Sequence, residues 1–251
     1  RYRKRQQFNS VAILACFPNW DRDGKPARIV APDGIVVRGA WPSPDGSAKD
    51  MANEGGRAFA FPGKVPGYED VYPDIDRLNP EYFQYMDRKM DYLHEEGFVP
   101  FLEVIRRDAT QPWKRWYKWP DSYARYVQYV YARYQAHNVI LSPIHFDTKN
   151  DSLPSRDFNE PANMVHRKYG PPPFGNLLST NAGPSTLCQF GHVSDDAPWL
   201  TMHQIGNMRE HDAYWYLTEI YRKEPAVPAL HGEPYYSGWG TQVEYYKDFA
   251  I

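Results

Sequence analysis

Three observations predict an α/β fold of the (β/α)8 TIM-barrel type. Apolar runs of strand length alternate with amphipathic helical segments along the chain. The first run, 11–17 (VAILACF), is apolar throughout rather than at every second position, as a parallel strand covered on both faces should be. No glycine-rich fingerprint follows the first run, which argues against a dinucleotide-binding fold. A barrel of this kind takes about 250 residues and about eight strands. The 251 residues hold six recognisable strands and four clear helices. The chain therefore reads as a fragment, one domain over residues 1–251 that carries strands two to seven and lacks the first and last. Two open edges should make such a piece unstable or prone to aggregate when expressed alone.

Residues 1–7 are basic and polar and suit the end of a solvated helix. The run 11–17 (VAILACF) is the first strand, and Pro18 ends it. Residues 19–78 are rich in Gly, Pro and Asp and read as one long loop. Trp20, Trp41, Phe59 and Phe61 within it predict an ordered loop folded over the mouth of the site. Asn79-Pro80 opens a helix, with Asn as the cap and Pro in the first turn. Phe83, Met86, Met90 and Leu93 follow at helical spacing, and Gly97 closes it. The next strand is 98–105 (FVPFLEVI). A helix over 121–136 places Tyr123, Val127, Val130 and Tyr134 on one face. Residues 138–144 (NVILSPI) form a strand, 154–169 a weaker and shorter helix, and 174–180 and 200–205 two further strands. Asp212 caps a helix running to residue 223, and 227–230 is the last strand.

Net charge is −2, from 29 basic and 31 acidic residues, which gives no support for a nucleic-acid partner. Aromatics make up 16% of the chain, with 20 Tyr and 8 Trp. Such rings suit a ligand that is apolar on its faces and polar at its edges, as a carbohydrate is. Most of the tyrosines must nonetheless pack helices. No apolar run approaches the ~20 residues of a membrane span. Cys16 and Cys188 allow at most one disulfide, and Cys16 reads as a buried thiol. No motif implies a cofactor. The chain starts at Arg1 without a Met, so a secreted or periplasmic location follows only if the full-length protein carries a signal peptide. Oligomeric state is not legible.

In a barrel, chemistry sits at the C-terminal ends of the strands. The residues there are Asn19, Trp20 and Asp21; Arg106 and Arg107, with Glu103 inside the strand; His145 and Asp147; Asn181; His203, Gln204 and Asn207; and His231 and Glu233. Glu233 stands between Gly232 and Pro234 where an apolar run stops, so it lies either at the barrel mouth or on a turn that caps the next helix. A retaining glycosidase needs two carboxyl groups ~5–5.5 Å apart, one as nucleophile and one as acid/base. Glu233 and Asp147 fit those roles. His145 shares a face with Asp147 in extended chain and could bond the acid or a sugar hydroxyl, or be a satisfied core histidine. Trp20, Tyr235 and Trp239 would supply stacking walls. Asn53, Glu54 and Arg57, on the long loop, would bind hydroxyls or an acidic sugar, with a loop-tethering salt bridge the alternative for Arg57. Asn181 and His203 would also reach substrate. A loop over the mouth favours exo action.

Two other readings stand beside this one. The first is a non-catalytic carbohydrate-binding barrel. The second is a metal-dependent hydrolase built on His145, His203 and His231 with Asp147. No His-x-His or His-Glu-x-x-His spacing supports the metal, and no Gly-x-Ser-x-Gly elbow supports a serine triad.

The motifs Phe8-Asn9-Ser10-Val11, Asn53-Glu54-Gly55-Gly56-Arg57-Ala58-Phe59, Asn79-Pro80-Glu81-Tyr82-Phe83, Ala136-His137-Asn138-Val139-Ile140 and His231-Gly232-Glu233-Pro234 together resemble the apiosidase-like, clan-A glycoside hydrolases. The resemblance covers most of the chain. It implies a (β/α)8 barrel and a retaining mechanism, with Glu233 as nucleophile and Asp147 as acid/base, Asp151 in reserve. Family members carry a glycine-rich stretch before that Asp, whereas this chain reads Ser142-Pro143-Ile144-His145-Phe146-Asp147. The departure implies a sugar other than the apiose of pectin side chains.

Overall fold

The computed structural model describes residues 2–16, 21–22, 25–26, 28–30, 36–38, 52–67, 69, 72–107, 110–147, 153–206 and 214–233. In chain order, α1 (Tyr2–Arg5) leads into β1 (Ser10–Leu14). Two short antiparallel pairs follow, β2 (Asp21–Arg22) with β3 (Lys25–Pro26) and β4 (Arg28–Val30) with β5 (Val36–Arg38). A third pairs β6 (Phe59–Ala60) with β7 (Asp74–Leu78). Then come α2 (Pro80–Glu95), β8 (Val99–Glu103), α3 (Thr110–Trp116), α4 (Asp121–Tyr134) and β9 (Ile140–Ser142). The chain continues through α5 (Ser155–Tyr169), α6 (Thr186–Phe190), β10 (His203–Ile205), α7 (Tyr214–Tyr221) and β11 (Ala229–His231).

The centre of the fold is a succession of parallel staves. β1, β8 and β9 pair side by side, and β10 pairs with β11, all parallel. Residues 177–182 bridge the two sheets. On one side Leu141 N–H donates to Leu177 O at 2.9 Å and Ser179 N–H to Leu141 O at 3.0 Å. On the other, Met202 N–H donates to Leu178 O and Gly206 N–H to Ala182 O, both at 3.0 Å. The staves thus stand in chain order with helices between them, the α/β pattern anticipated. Among the described residues the sheet does not close. β8 is buried along most of its length, while β1 and β11 are half exposed.

Several expectations change. Residues 19–78 are not one loop, because three antiparallel pairs, β7 among their strands, lie within them. Here cross-strand pairing overrides a composition rich in turn formers. α5 matches α2 and α4 in length despite Pro161, since its buried face (Phe158, Pro161, Ala162, Val165) outweighs the break. Residues 174–180 form no regular strand. Pro143 on the facing strand has no N–H to give, and between the bridges Leu141–Leu178 and Phe146–Ala182 the β9 side carries one residue more. That is a β-bulge. Asp212 and Trp41 lie outside the described residues.

α2 forms as the sequence predicts. Asn79 caps it by accepting from Glu81 N–H at 3.1 Å, and its Nδ2 donates to the carbonyls of Gly55 and Arg57 at 2.8 Å each. Tyr82, Phe83, Met86 and Met90 are its buried stripe. Trp113 is fully buried against Phe59, Tyr123 and Tyr126, and its Nε1–H bonds Ser122 Oγ at 2.8 Å.

Three buried tyrosines share one task. Tyr82 Oη donates to Ala15 O at 2.9 Å, Tyr126 Oη to Val104 O at 2.9 Å, and Tyr123 Oη to Pro143 O at 2.6 Å. Each carbonyl belongs to the residue just beyond β1, β8 or β9, where the parallel ladder runs out. The helices thereby satisfy backbone groups that burial would otherwise leave unpaired. Tyr82, Tyr123 and Tyr126 therefore fix strand ends. Cys16 is buried, Cys188 is exposed, and no disulfide joins them. Among the described residues no helix is long and apolar enough to cross a membrane.

Candidate active site

The C-terminal ends of the staves converge on one polar cluster. Glu103, the last residue of β8, is 2% exposed in a run that is otherwise apolar. Its Oε2 lies 2.6 Å from His145 Nδ1, just past β9. The opposite ring nitrogen, His145 Nε2, is 3.5 Å from Asp147 Oδ1. Asp147 is ion-paired with Arg107, and Arg106 Nη2 stands 3.9 Å from its other oxygen. These arginines follow β8 directly, so the bend after each strand sets one pair of charges against the other. Both guanidiniums favour the charged form of the Asp147 carboxylate.

Glu233 follows β11. Asn181 Nδ2 donates to Glu233 Oε2 at 2.7 Å, a charge-assisted bond across the mouth. Burial pushes the Glu103 carboxyl above its ordinary range; the His145 imidazole opposes this, and the negative charge of Glu233 adds to it. Glu103 thus feels Glu233 directly, while His145 stands between Glu103 and Asp147.

Not every residue expected at the site joins it. Asn53 makes a local turn, donating to Tyr82 O at 2.9 Å and accepting from Gly55 N–H at 2.7 Å. Glu54 is exposed beside α2, with Lys89 Nζ 3.9 Å away. A backbone amide and the Tyr85 hydroxyl hold its carboxyl below the usual value. Arg57 lies over the Phe61 ring, 4.2 Å from its centroid. Trp20, Asp151, Asn207, Tyr235 and Trp239 lie outside the described residues.

His203 is fully buried, facing α6 rather than the mouth. Its Nδ1 is 2.7 Å from Thr186 Oγ1, its Nε2 is 2.8 Å from His192 Nδ1, and His192 Nε2 is 3.0 Å from Pro225 O. The carbonyl can only accept, which fixes the direction: Thr186 O–H donates to His203, His203 to His192, and His192 to Pro225. Burial, then the neighbouring His192 and Lys223, push His203 down to about 4. His145 and His203 thus serve separate networks. Among the described residues no three His, Cys, Asp or Glu side chains come together to hold a metal ion.

Glu103 is the residue whose part sequence reasoning left open. Its signal was a single carboxylate inside the apolar run FVPFLEVI, followed at once by two arginines.

Parallel staves with helices between them and a carboxylate cluster at their C-terminal ends define an α/β domain. The chain belongs to the apiosidase-like catalytic-domain family, whose profile matches residues 1–250. Among solved structures it is similar to a Bacteroides vulgatus protein assigned to the glycoside hydrolases, with TM-score 0.50 and 16% identity over 88% of this chain and 37% of that one. A family 5 glycoside hydrolase from the same organism gives TM-score 0.46 and 16% identity over 62% of this chain and 35% of that one. The chain therefore spans just over a third of the length of each. No curated protein matches it.

Proposed function

We propose that this domain hydrolyses glycosidic bonds with retention, acting from chain ends, as part of a complete (β/α)8 barrel. The observation that carries the reading is the setting of Glu233: it ends the last described stave, and Asn181 holds one of its oxygens at 2.7 Å. That bond ties Oε2, orients the carboxylate and leaves Oε1 to attack the anomeric carbon. Family membership supports the same chemistry.

Asp147 takes the acid/base role. It protonates the leaving oxygen as Glu233 attacks, then draws the proton from the water that opens the glycosyl-enzyme. Trp20, Tyr235 and Trp239 serve as stacking walls, and His145 and Asn181 orient hydroxyls. Pro143 and His145 stand where glycines are expected in the family, a departure that supports a sugar other than apiose.

Glu233→Gln is the test. It keeps the Asn181 contact and should reduce turnover by about 10³-fold or more, with the thermal midpoint nearly unchanged. A 2-fluoro glycoside should label Glu233 in the wild type, and proton NMR should show the product anomer retained. Activity preserved in Glu233→Gln would remove the mechanism.

A further inference from the structure

The cluster poses a problem for proton supply. Asp147 has Arg107 against it and Arg106 3.9 Å away, and both favour the carboxylate, yet an acid needs a proton. The imidazole beside it faces a second, buried carboxyl group. His145 Nδ1 is 2.6 Å from Glu103 Oε2, and His145 Nε2 is 3.5 Å from Asp147 Oδ1.

We propose that Glu103 is a positioning residue that stores the catalytic proton and passes it through His145 to Asp147. This rests on the reading of Asp147 as acid/base. In the resting state Glu103 is a carboxylic acid donating to Nδ1, and Nε2–H faces the Asp147 carboxylate. As the leaving oxygen draws a proton from Asp147, Nε2–H moves to Asp147 Oδ1 and the Glu103 proton moves to Nδ1. Glu103 is left ionised, His145 neutral with its proton on Nδ1, and Asp147 ionised again once it has protonated the leaving group. In the second half-reaction the proton taken from water returns along the same path. No charge accumulates and no co-reactant is consumed.

Burial in the β8 terminus favours the protonated form of Glu103, and the negative charge of Glu233 favours it further. The groups facing the relay are His145 and Asp147 from the β9 end, Arg106 and Arg107 from the β8 end, and Glu233 from the β11 end. When Glu233 becomes an ester its charge disappears. Glu103 then gives up its proton more readily, in step with the demand for acid.

Glu103→Gln keeps the shape and still donates to Nδ1, but holds no transferable proton. The sugar is chosen as the one the wild-type chain cleaves best among 4-nitrophenyl glucoside, galactoside, arabinoside, rhamnoside and apioside. Its phenyl and 2,4-dinitrophenyl glycosides are then compared. Glu103→Gln should lower kcat about 10²-fold on the phenyl glycoside, within the usual range for general acid catalysis, and less than about threefold on the dinitrophenyl one, whose leaving group needs no proton. Asp147→Asn should show the same split, whereas Glu233→Gln should lose both substrates. Equal slowing on both, or no slowing, overturns the relay while leaving the glycosidase reading in place. Activity in Glu233→Gln overturns the underlying reading instead. A second measurement needs no substrate and no variant activity. In carboxyl-labelled wild-type protein, one Glu resonance should titrate above the ordinary range and be absent from Glu103→Gln, and a spectrum without such a resonance also overturns the proposal.

Discussion

Asn181 Nδ2 holds Glu233 Oε2 at 2.7 Å across the gap between two staves that are not neighbours in sequence. The amide reaches the carboxylate because Phe146 N–H donates to Asn181 O at 2.8 Å, anchoring its backbone beside the β9 end. A hydrogen bond to a charged group contributes about 1.5–3 kcal/mol. Asn181→Ala should therefore lower kcat by about 10–100-fold, while Asn181→Asp, which sets like charges together, should lower it more. Steady-state kinetics on both variants would check the order.

Gly206 backs onto the same amide. A Cβ there would run into Asn181 Oδ1, with the Ala182 backbone close behind it. Gly206→Ala should displace the Asn181 side chain and release Glu233 with neither of those two residues substituted. The expected result is a loss of kcat near that of Asn181→Ala, with about 1–3 kcal/mol of lost stability from overpacking. Activity close to wild type would show that the amide does not orient Glu233.

Tyr126→Phe removes the hydroxyl bonded to Val104 O, one residue beyond Glu103. A buried acceptor left unpaired costs about 1–3 kcal/mol, and urea unfolding should show a loss of that size with an unchanged slope. Tyr92→Phe, on the exposed face of α2, is the control and should be silent.

Buried His203 makes stability pH-dependent on the acid side. His203 is pushed down to about 4 from 6.5, so the unfolded chain binds its proton before the folded one does. The stability it contributes is fully present above pH 6.5 and is lost as pH falls towards about 4. His203→Gln should be less stable at pH 7 yet show a flatter midpoint between those limits, readable by thermal scans in a pH series. Because His192 bonds Pro225 O, just ahead of β11, acid should loosen the strand that carries Glu233.

How much of this was legible depends on the kind of interaction. α2 and α4 could be read because local spacing and the Asn79-Pro80 start determine them. The antiparallel pairs, β7 included, could not, since they lie in a stretch whose Gly, Pro and Asp content favours turns. Glu233 and Asp147 could be placed at strand ends by counting alternating elements. That His203 turns away towards Thr186 and His192 could not, because burial on one face of a strand depends on α6, a five-residue helix with no periodic signature. The bond from Glu103 to His145 spans 42 positions and leaves no local trace.

The extra residue on the β9 side has a last consequence. Beyond it, Ile144 and Phe146 face the helices, and His145 and Asp147 face the mouth. Side chains alternate with period two, so losing Pro143 would reverse the phase of everything that follows until the turn. Ile144 and Phe146 would line the opening, and the imidazole and carboxylate would be driven into the helical layer. A deletion of a single codon, with no chemical group replaced, would exchange a polar mouth for an oily one.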